Sequence, residues 1–196
     1  MGNREDLLAG ARRCLEEKGW GRTTVRDIAT ASGVSMAAIG YHFGSREALL
    51  TAALISALDD WGTQVGRTLG AFGAGDATPA ERYAAMWDRV IESFAEHRTL
   101  WLASIEALVQ AEHSDELRRY LAGGQEQGRR GLAAVLDGSS ELDGSSEEGA
   151  GTLGAVHLAL LTGVVTQWLT DPAQAPTGAD VVTGLRRLSR IVDPGS

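Results

Sequence analysis

The segment from Thr23 to Leu50 constrains this chain most, because it contains two helix patterns of about two turns each around a single glycine. Thr24 is placed to cap the first helix, and Asp27 would complete a capping box three residues later. Gly33 supplies the left-handed conformation that a sharp turn requires, and Ser35 is placed to cap the second helix. Helices this short are not stable alone, so we expect them to pack on a larger helical scaffold.

The rest of the sequence also predicts helix, and we expect an all-α fold. No convincing run of alternating β-branched residues is bounded by hairpin turns. Besides the two short helices, helices are expected to end at Lys18-Gly19 and to span about 45–69, 78–97, 99–112, 114–136, 149–170 and 179–192. Segment 137–148 contains DGSSE twice and is expected to be an acidic, mobile linker.

The location of the protein is predicted from its cysteine and its apolar segments. The single cysteine, Cys14, excludes an intramolecular disulfide and favours a reducing compartment. The N-terminus does not have the pattern of a signal peptide. The apolar segment Leu153–Leu169 is slightly short for a membrane span and contains polar residues, so it is interpreted as a buried helix. We therefore expect a cytoplasmic protein without a membrane partner.

The charge is divided unevenly along the chain, whose net charge is -8. Residues 1–50 contain seven Lys/Arg and six Asp/Glu, a balance of +1, whereas residues 51–196 contain eleven and twenty, a balance of -9. The N-terminal part is thus compatible with a phosphate backbone, while the acidic remainder would be repelled by it.

The segment TTVRDIATASGVSMAAIGYHFGSREALL resembles the DNA-binding domain of the tetracycline-repressor (TetR) family. The matching residues are Thr23, Thr24, Val25, Ile28, Ala29, Gly33, Val34, Ser35, Tyr41, His42, Phe43, Ser45, Arg46, Glu47 and Leu49. Gly40 departs from the tyrosine common in the family, and Arg46 replaces a frequent lysine. The resemblance implies a helix-turn-helix domain at 1–46, followed at 47–196 by a helical domain that binds an effector and dimerises.

This resemblance also implies which residues contact a double-stranded DNA operator. The predicted DNA-binding residues are Thr24, Arg26, Ser35, Met36, Ala37, Ala38, Tyr41, His42 and Arg46. Met36 and Ala37 are expected to touch thymine methyl groups, because neither can make a bidentate hydrogen bond to a base. Arg46 is expected to contact phosphate, as are the polar members of the set. For His42, a structural role in packing or hydrogen bonding is an equal alternative.

The last two helices carry apolar seams, one of which includes Val181, Leu185 and Leu188. The pattern alone fits an intramolecular core as well as a dimer interface, and the family resemblance favours a homodimer. By the same resemblance, the helix from about Ser45 to Leu69 is a lever that links the effector to the DNA-binding domain.

An unknown small-molecule effector is expected in a pocket lined by aromatic and polar residues. The candidates are Trp61, Tyr83, Trp87, Phe94, Trp101, Glu106, Gln110, Tyr120 and His157. Glu106 lies between Leu102 and Val109 on the helical lattice and is expected to face inward. A buried carboxylate needs a partner, and an internal arginine, Arg82 or Arg118, is slightly favoured over a ligand.

Two other functions compete with a ligand-responsive repressor. An enzyme is not expected, because the sequence contains no nucleophile elbow, P-loop, dinucleotide fingerprint or metal-ligand cluster, and no cofactor or metal is predicted. A ligand-independent DNA-binding protein with a filled core remains the alternative.

Overall fold

The computed structural model describes residues 2–70, 77–137 and 147–193, with side chains described for 2–67, 77–133 and 151–193. The linker predicted at 137–148 falls almost entirely outside the described residues. The helices are α1 (Asn3–Lys18), α2 (Val25–Ser32), α3 (Met36–Phe43), α4 (Arg46–Gly70), α5 (Pro79–Glu96), α6 (Arg98–Gln110), α7 (Asp115–Asp137), α8 (Glu147–Thr170) and α9 (Gly178–Val192). A short 3-10 turn, Ala111–His113, follows α6. The all-α prediction is confirmed, since this part of the chain contains no strand.

Local capping explains where several helices begin. Thr78 and Glu81 start α5 with a reciprocal pair of bonds: the Thr78 N–H donates to Glu81 Oε2 at 2.7 Å, and the Glu81 N–H donates to Thr78 Oγ1 at 3.3 Å. Thr177 and Asp180 form the same capping box at α9. Because the ionised carboxylate accepts these bonds, the pKa values of Glu81 and Asp180 are lowered.

The chain forms two compact units. The first comprises residues 1–62 and 97–158, and its apolar core joins α1, α2 and α3 to α4 and α6. Small residues of α6, Ala103 and Ala107, are fully buried in that core beside Leu7 and Ala11 of α1. These units cut across the expected boundary after residue 46, and the functional division at that residue therefore stays a prediction.

The second compact unit comprises residues 63–96 and 159–196, in which α5 packs against α9. The backbone N–H of Gly178 donates to Asp88 Oδ1 at 2.7 Å. A Cβ atom at Gly178 would lie 2.0 Å from the carbonyl oxygen of Ala84, so the helices approach more closely than any other residue would allow. Phe94 of α5 meets Trp168 of α8 edge to face, with ring centroids 5.8 Å apart.

Within α8, residues Gly151–Thr170 are long and apolar enough to cross a membrane by length and composition, which is weak evidence for a span. The helix was interpreted from sequence as buried, and this is correct for one side only. Leu161 and Val164 are buried, whereas Leu153 and Val156 are 44% and 53% exposed. Helix α8 thus leaves some apolar side chains uncovered within a single chain.

Candidate nucleic-acid interface

The position of α2 is fixed by its close contact with α1. A Cβ atom at Gly10 of α1 would lie 2.8 Å from Ser32 Cβ of α2, which is closer than side-chain contacts normally come. Nearer the start of α2, the Lys18 ammonium lies 2.6 Å from Asp27 Oδ1. A backbone contact and an ion pair therefore hold the two ends of α2 against α1.

Asp27 also organises the first turn of α2, as the sequence predicted. Its backbone N–H donates to Thr24 Oγ1 at 3.1 Å, and its Oδ2 accepts from the Thr24 N–H at 2.8 Å. Lys18 first, and then the hydrogen bonds from Thr24, hold the pKa of Asp27 well below its usual range. At the other end, Gly33 has φ 70°, the left-handed conformation expected of the turn before α3.

The short helix α3 presents one side to the core and the other to solvent. Ile39 is 2% exposed and anchors the inner side, whereas Met36 and Tyr41 are 52% and 86% exposed. Ala37 is also exposed, while Ala38 is half-buried and packs against the core. The exposed face expected from the sequence is therefore present, but with a smaller contribution from Ala38.

The other residues predicted to contact DNA at this surface differ in their burial and in their contacts within the chain. Thr24, Arg26 and Ser35 are exposed, and Ser35 is the N-cap of α3 without a side-chain capping hydrogen bond. His42 is half-buried and meets the Tyr41 ring edge to face at 4.9 Å between centroids. His42 thus has a packing partner within the chain, and its contact with DNA stays a prediction.

Arg46 has internal partners that sequence analysis did not anticipate. Its Nε donates to the Thr23 carbonyl at 2.5 Å, its Nη2 donates to the Trp20 carbonyl at 2.6 Å, and its Nη1 pairs with Glu47 at 2.8 Å. The side chain is only 20% exposed. Arg46 therefore clamps the loop between α1 and α2, and its contact with phosphate stays a prediction.

Glu106 does not face inward, so that expectation is wrong. Its side chain is exposed, and its Oε2 accepts a hydrogen bond from the Gly21 N–H at 2.7 Å. The two arginines proposed as its partners bind elsewhere: Arg118 pairs with Asp115, and Arg82 donates to the Ala77 carbonyl. The cause is the orientation of α6, which buries its small alanines and turns this carboxylate toward the α1–α2 loop.

The other candidate pocket residues fall into both compact units. In the first unit, Trp61 and Trp101 are buried and meet edge to face, with ring centroids 4.8 Å apart, and His157 is 6% exposed. Gln110 and Tyr120 of the same unit are exposed. Burial lowers the pKa of His157 to about 4, so its imidazole is neutral at physiological pH.

In the second unit, Trp87 and Phe94 are buried, and Tyr83 is half-buried. Tyr83 meets Trp87 edge to face, with ring centroids 6.5 Å apart. Burial raises the pKa of the Tyr83 hydroxyl. Tyr83 and Trp87 thus pack on each other, whereas Phe94 packs on Trp168. Contact of these aromatic residues with an effector stays a prediction.

Comparison with known proteins places this helix-turn-helix in a family. Residues 7–53 match the model of bacterial regulatory proteins of the tetR family, and residues 77–190 match the tetracyclin repressor-like C-terminal domain. The chain belongs to the TetR family. The resemblance that the sequence motif indicated is thus confirmed, and it extends beyond the motif to most of the chain.

The curated relatives match only part of this TetR-family chain. The repressor AcnR of Corynebacterium efficiens is 44% identical over 52 residues, which are 26% of this chain and 28% of that protein. The repressor KstR2 of Rhodococcus jostii is 41% identical over 59 residues, 30% of this chain and 29% of that protein. The matched segments therefore cover little more than a quarter of the length of these relatives.

Solved structures of similar fold cover almost the entire chain. The multidrug binding protein EbrR, complexed with imidazole, has a TM-score of 0.66 at 22% identity and covers 94% of this chain and 95% of its own. A transcriptional regulator from Rhodococcus sp. RHA1 has a TM-score of 0.71 at 15% identity, with 94% and 93% coverage. At these identities the likeness concerns the fold.

Proposed function

We propose that this protein is a cytoplasmic transcriptional repressor that binds a palindromic DNA operator as a homodimer and is released by a small-molecule effector. The observation that carries the proposal is the outer face of α3. A helix of eight residues is braced on the core by Ile39, while the neighbouring Met36 and Tyr41 stand in solvent. This face lies on the helix after the glycine turn, which is the position of the recognition helix in helix-turn-helix proteins, and it therefore fits the major groove of DNA.

The residues around α3 divide by chemistry into base-reading and phosphate-binding groups. Met36 and Ala37 offer apolar surface for thymine methyl groups. Thr24, Arg26 and Tyr41 are exposed donors at the same surface and are proposed to bind phosphates, which fixes orientation without selecting bases.

The proposal of a homodimer is supported by uncovered apolar side chains on the last two helices. In α9, Leu188, Ile191 and Val192 are 56%, 74% and 83% exposed, and in α8 Leu153 and Val156 are also exposed. A single chain leaves both groups of side chains in water, and burying them against a second copy would remove that cost. Two copies would also place two α3 helices on one palindromic site.

For the proposed effector, a specific observation also favours an alternative, a protein that binds DNA without a ligand. EbrR, whose fold is similar, is a multidrug binding protein solved with imidazole and with proflavin, and we propose a small aromatic or apolar effector here by analogy. However, the burial of Trp61, Trp87, Phe94 and Trp101 also fits a ligand-independent protein with a filled core. A thermal-shift screen of aromatic cations and neutral aromatics separates the two, because only a ligand-binding protein is stabilised increasingly, with the logarithm of ligand concentration, once that concentration exceeds Kd.

The DNA-binding part is tested with Tyr41→Ala and a matched control. A DNA site would first be selected from a random pool with the wild-type protein. Loss of one hydroxyl contact to phosphate is expected to weaken binding to that site about fivefold. Tyr120→Ala removes an exposed tyrosine that lies on α7 and should leave DNA affinity unchanged. Equal affinities for wild type and Tyr41→Ala would show that α3 does not meet DNA with this face.

A further inference from the structure

The loop between α1 and α2, Gly19–Thr23, is hydrogen-bonded to two helices that follow α3 in the chain. Arg46, the first residue of α4, donates to the carbonyls of Trp20 and Thr23. Glu106 of α6 accepts from the N–H of Gly21, which lies between those two residues. Both α4 and α6 therefore hold the same short loop.

We propose that Glu106 is a positioning residue for the helix-turn-helix, which ties α6 to the placement of α2 and hence to DNA affinity. The inference rests on the DNA-binding function proposed above. It assigns a regulatory contact to a side chain that does not itself meet DNA, and its effect on affinity passes through the loop.

Internal hydrogen bonds make the loop rigid, so that a displacement at Gly21 is passed on to α2. The buried Thr23 hydroxyl lies 2.7 Å from the Gly19 carbonyl and 3.1 Å from the Cys14 carbonyl, so the loop is closed on itself and on α1. The next residue, Thr24, is the N-cap of α2. Only a short, internally hydrogen-bonded segment lies between Gly21 and the first turn of α2. A displacement of Gly21 would therefore also move the start of α2.

Helix α6 also contacts α1 through its buried alanines, which is a second attachment besides the Glu106 hydrogen bond. Ala103 and Ala107 of the same helix are fully buried in the core that also contains Leu7 and Ala11 of α1. Glu106 meets the loop at a different point, beyond the end of α1. The buried alanines attach α6 to α1, and the Glu106 hydrogen bond attaches α6 to the loop. Together they restrict movement of the loop relative to α1, which the apolar contact alone would allow.

Three variants separate positioning from charge. Glu106→Ala removes the acceptor, Glu106→Gln keeps a carbonyl that can accept the Gly21 N–H, and Glu112→Ala makes the same charge change at an exposed residue on the turn after α6. Each would be tested for thermal stability, for amide hydrogen exchange in residues 19–28, and for affinity to the DNA site selected by the wild type.

Glu106→Ala is expected to speed exchange at Gly21 and to weaken DNA binding about fivefold, the scale of one exposed charge-assisted hydrogen bond. Glu106→Gln should restore most of both properties, and Glu112→Ala should change neither. Unchanged Gly21 exchange in Glu106→Ala, or equal weakening by Gln and Ala at residue 106, overturns the positioning role. If the wild type binds its site and Glu106→Ala binds equally well, the coupling alone is wrong, whereas a wild type that enriches no site refutes the proposed function itself.

Discussion

Replacement of Arg46 should reveal a structural role at a residue that sequence alone assigns to phosphate. The guanidinium donates to two backbone carbonyls, of Trp20 and Thr23, and its side chain is 20% exposed. Each bond from a charged donor contributes about 1.5 kcal/mol at the low end of the usual range, and partial exposure reduces the sum. Arg46→Ala is therefore expected to lower the free energy of unfolding by about 2 kcal/mol. Arg46→Lys should lose about half as much, because an ammonium group does not reproduce the fork.

Denaturant unfolding measures this loss, and the salt dependence of DNA binding separates it from a phosphate contact. Arg26→Ala is the matched control, since Arg26 is exposed and has no side-chain hydrogen bond or ion pair within the described residues. Its replacement should leave the unfolding free energy within about 0.5 kcal/mol and make the salt slope shallower by about one. Suppose instead that Arg46→Ala unfolds like the wild type and has the shallower slope. The internal clamp would then be refuted in favour of a phosphate contact.

Four further substitutions test other parts of the structure. Gly10→Ala should destabilise the protein by about 2 kcal/mol in thermal or denaturant unfolding, because the new Cβ meets Ser32, while Gly40→Ala, with open space around it, should stabilise by up to about 1 kcal/mol. Burial lowers the pKa of His157 to about 4, so between pH 6.5 and 4 the unfolded chain binds a proton that the folded chain does not. The free energy of unfolding should therefore decrease as pH is lowered from 6.5 to 4, and His157→Leu should make this decrease smaller. Met36→Ala should change the bases selected from a random pool but not the salt slope, and an identical selected site would remove Met36 from base reading.

Local signals made the helices predictable. The capping pair Thr24 and Asp27 marks the start of α2, and Gly33 marks its end, because both effects act within a few residues. The same holds for Thr78 and Glu81 at α5. The exposed side of α3 carries Met36 and Ala37, which the family resemblance had assigned to DNA, because buried Ile39 fixes the side that turns inward.

Contacts between distant parts of the chain were not predictable in this way. Glu106 bonds to a residue 85 positions away, and Arg46 bonds to Trp20, 26 positions away. The helical lattice suggested that Glu106 shares a buried face with larger apolar residues, but α6 instead buries its alanines, whose small side chains let it approach α1 closely. Trp20, an apolar residue between two glycines and almost fully buried, was the one local sign that this loop belongs to the core.

Selection of DNA from a random pool, followed by the mass of the complex on the selected site, tests the central claim most directly. A homodimeric TetR-family repressor should enrich a palindrome with half-site centres about 34 Å apart, or a small multiple of that distance, and should bind it as two chains or a multiple of two. Binding should also weaken steeply as salt is raised. Failure to enrich any site, or binding of a single chain to a site without two-fold symmetry, would contradict the account.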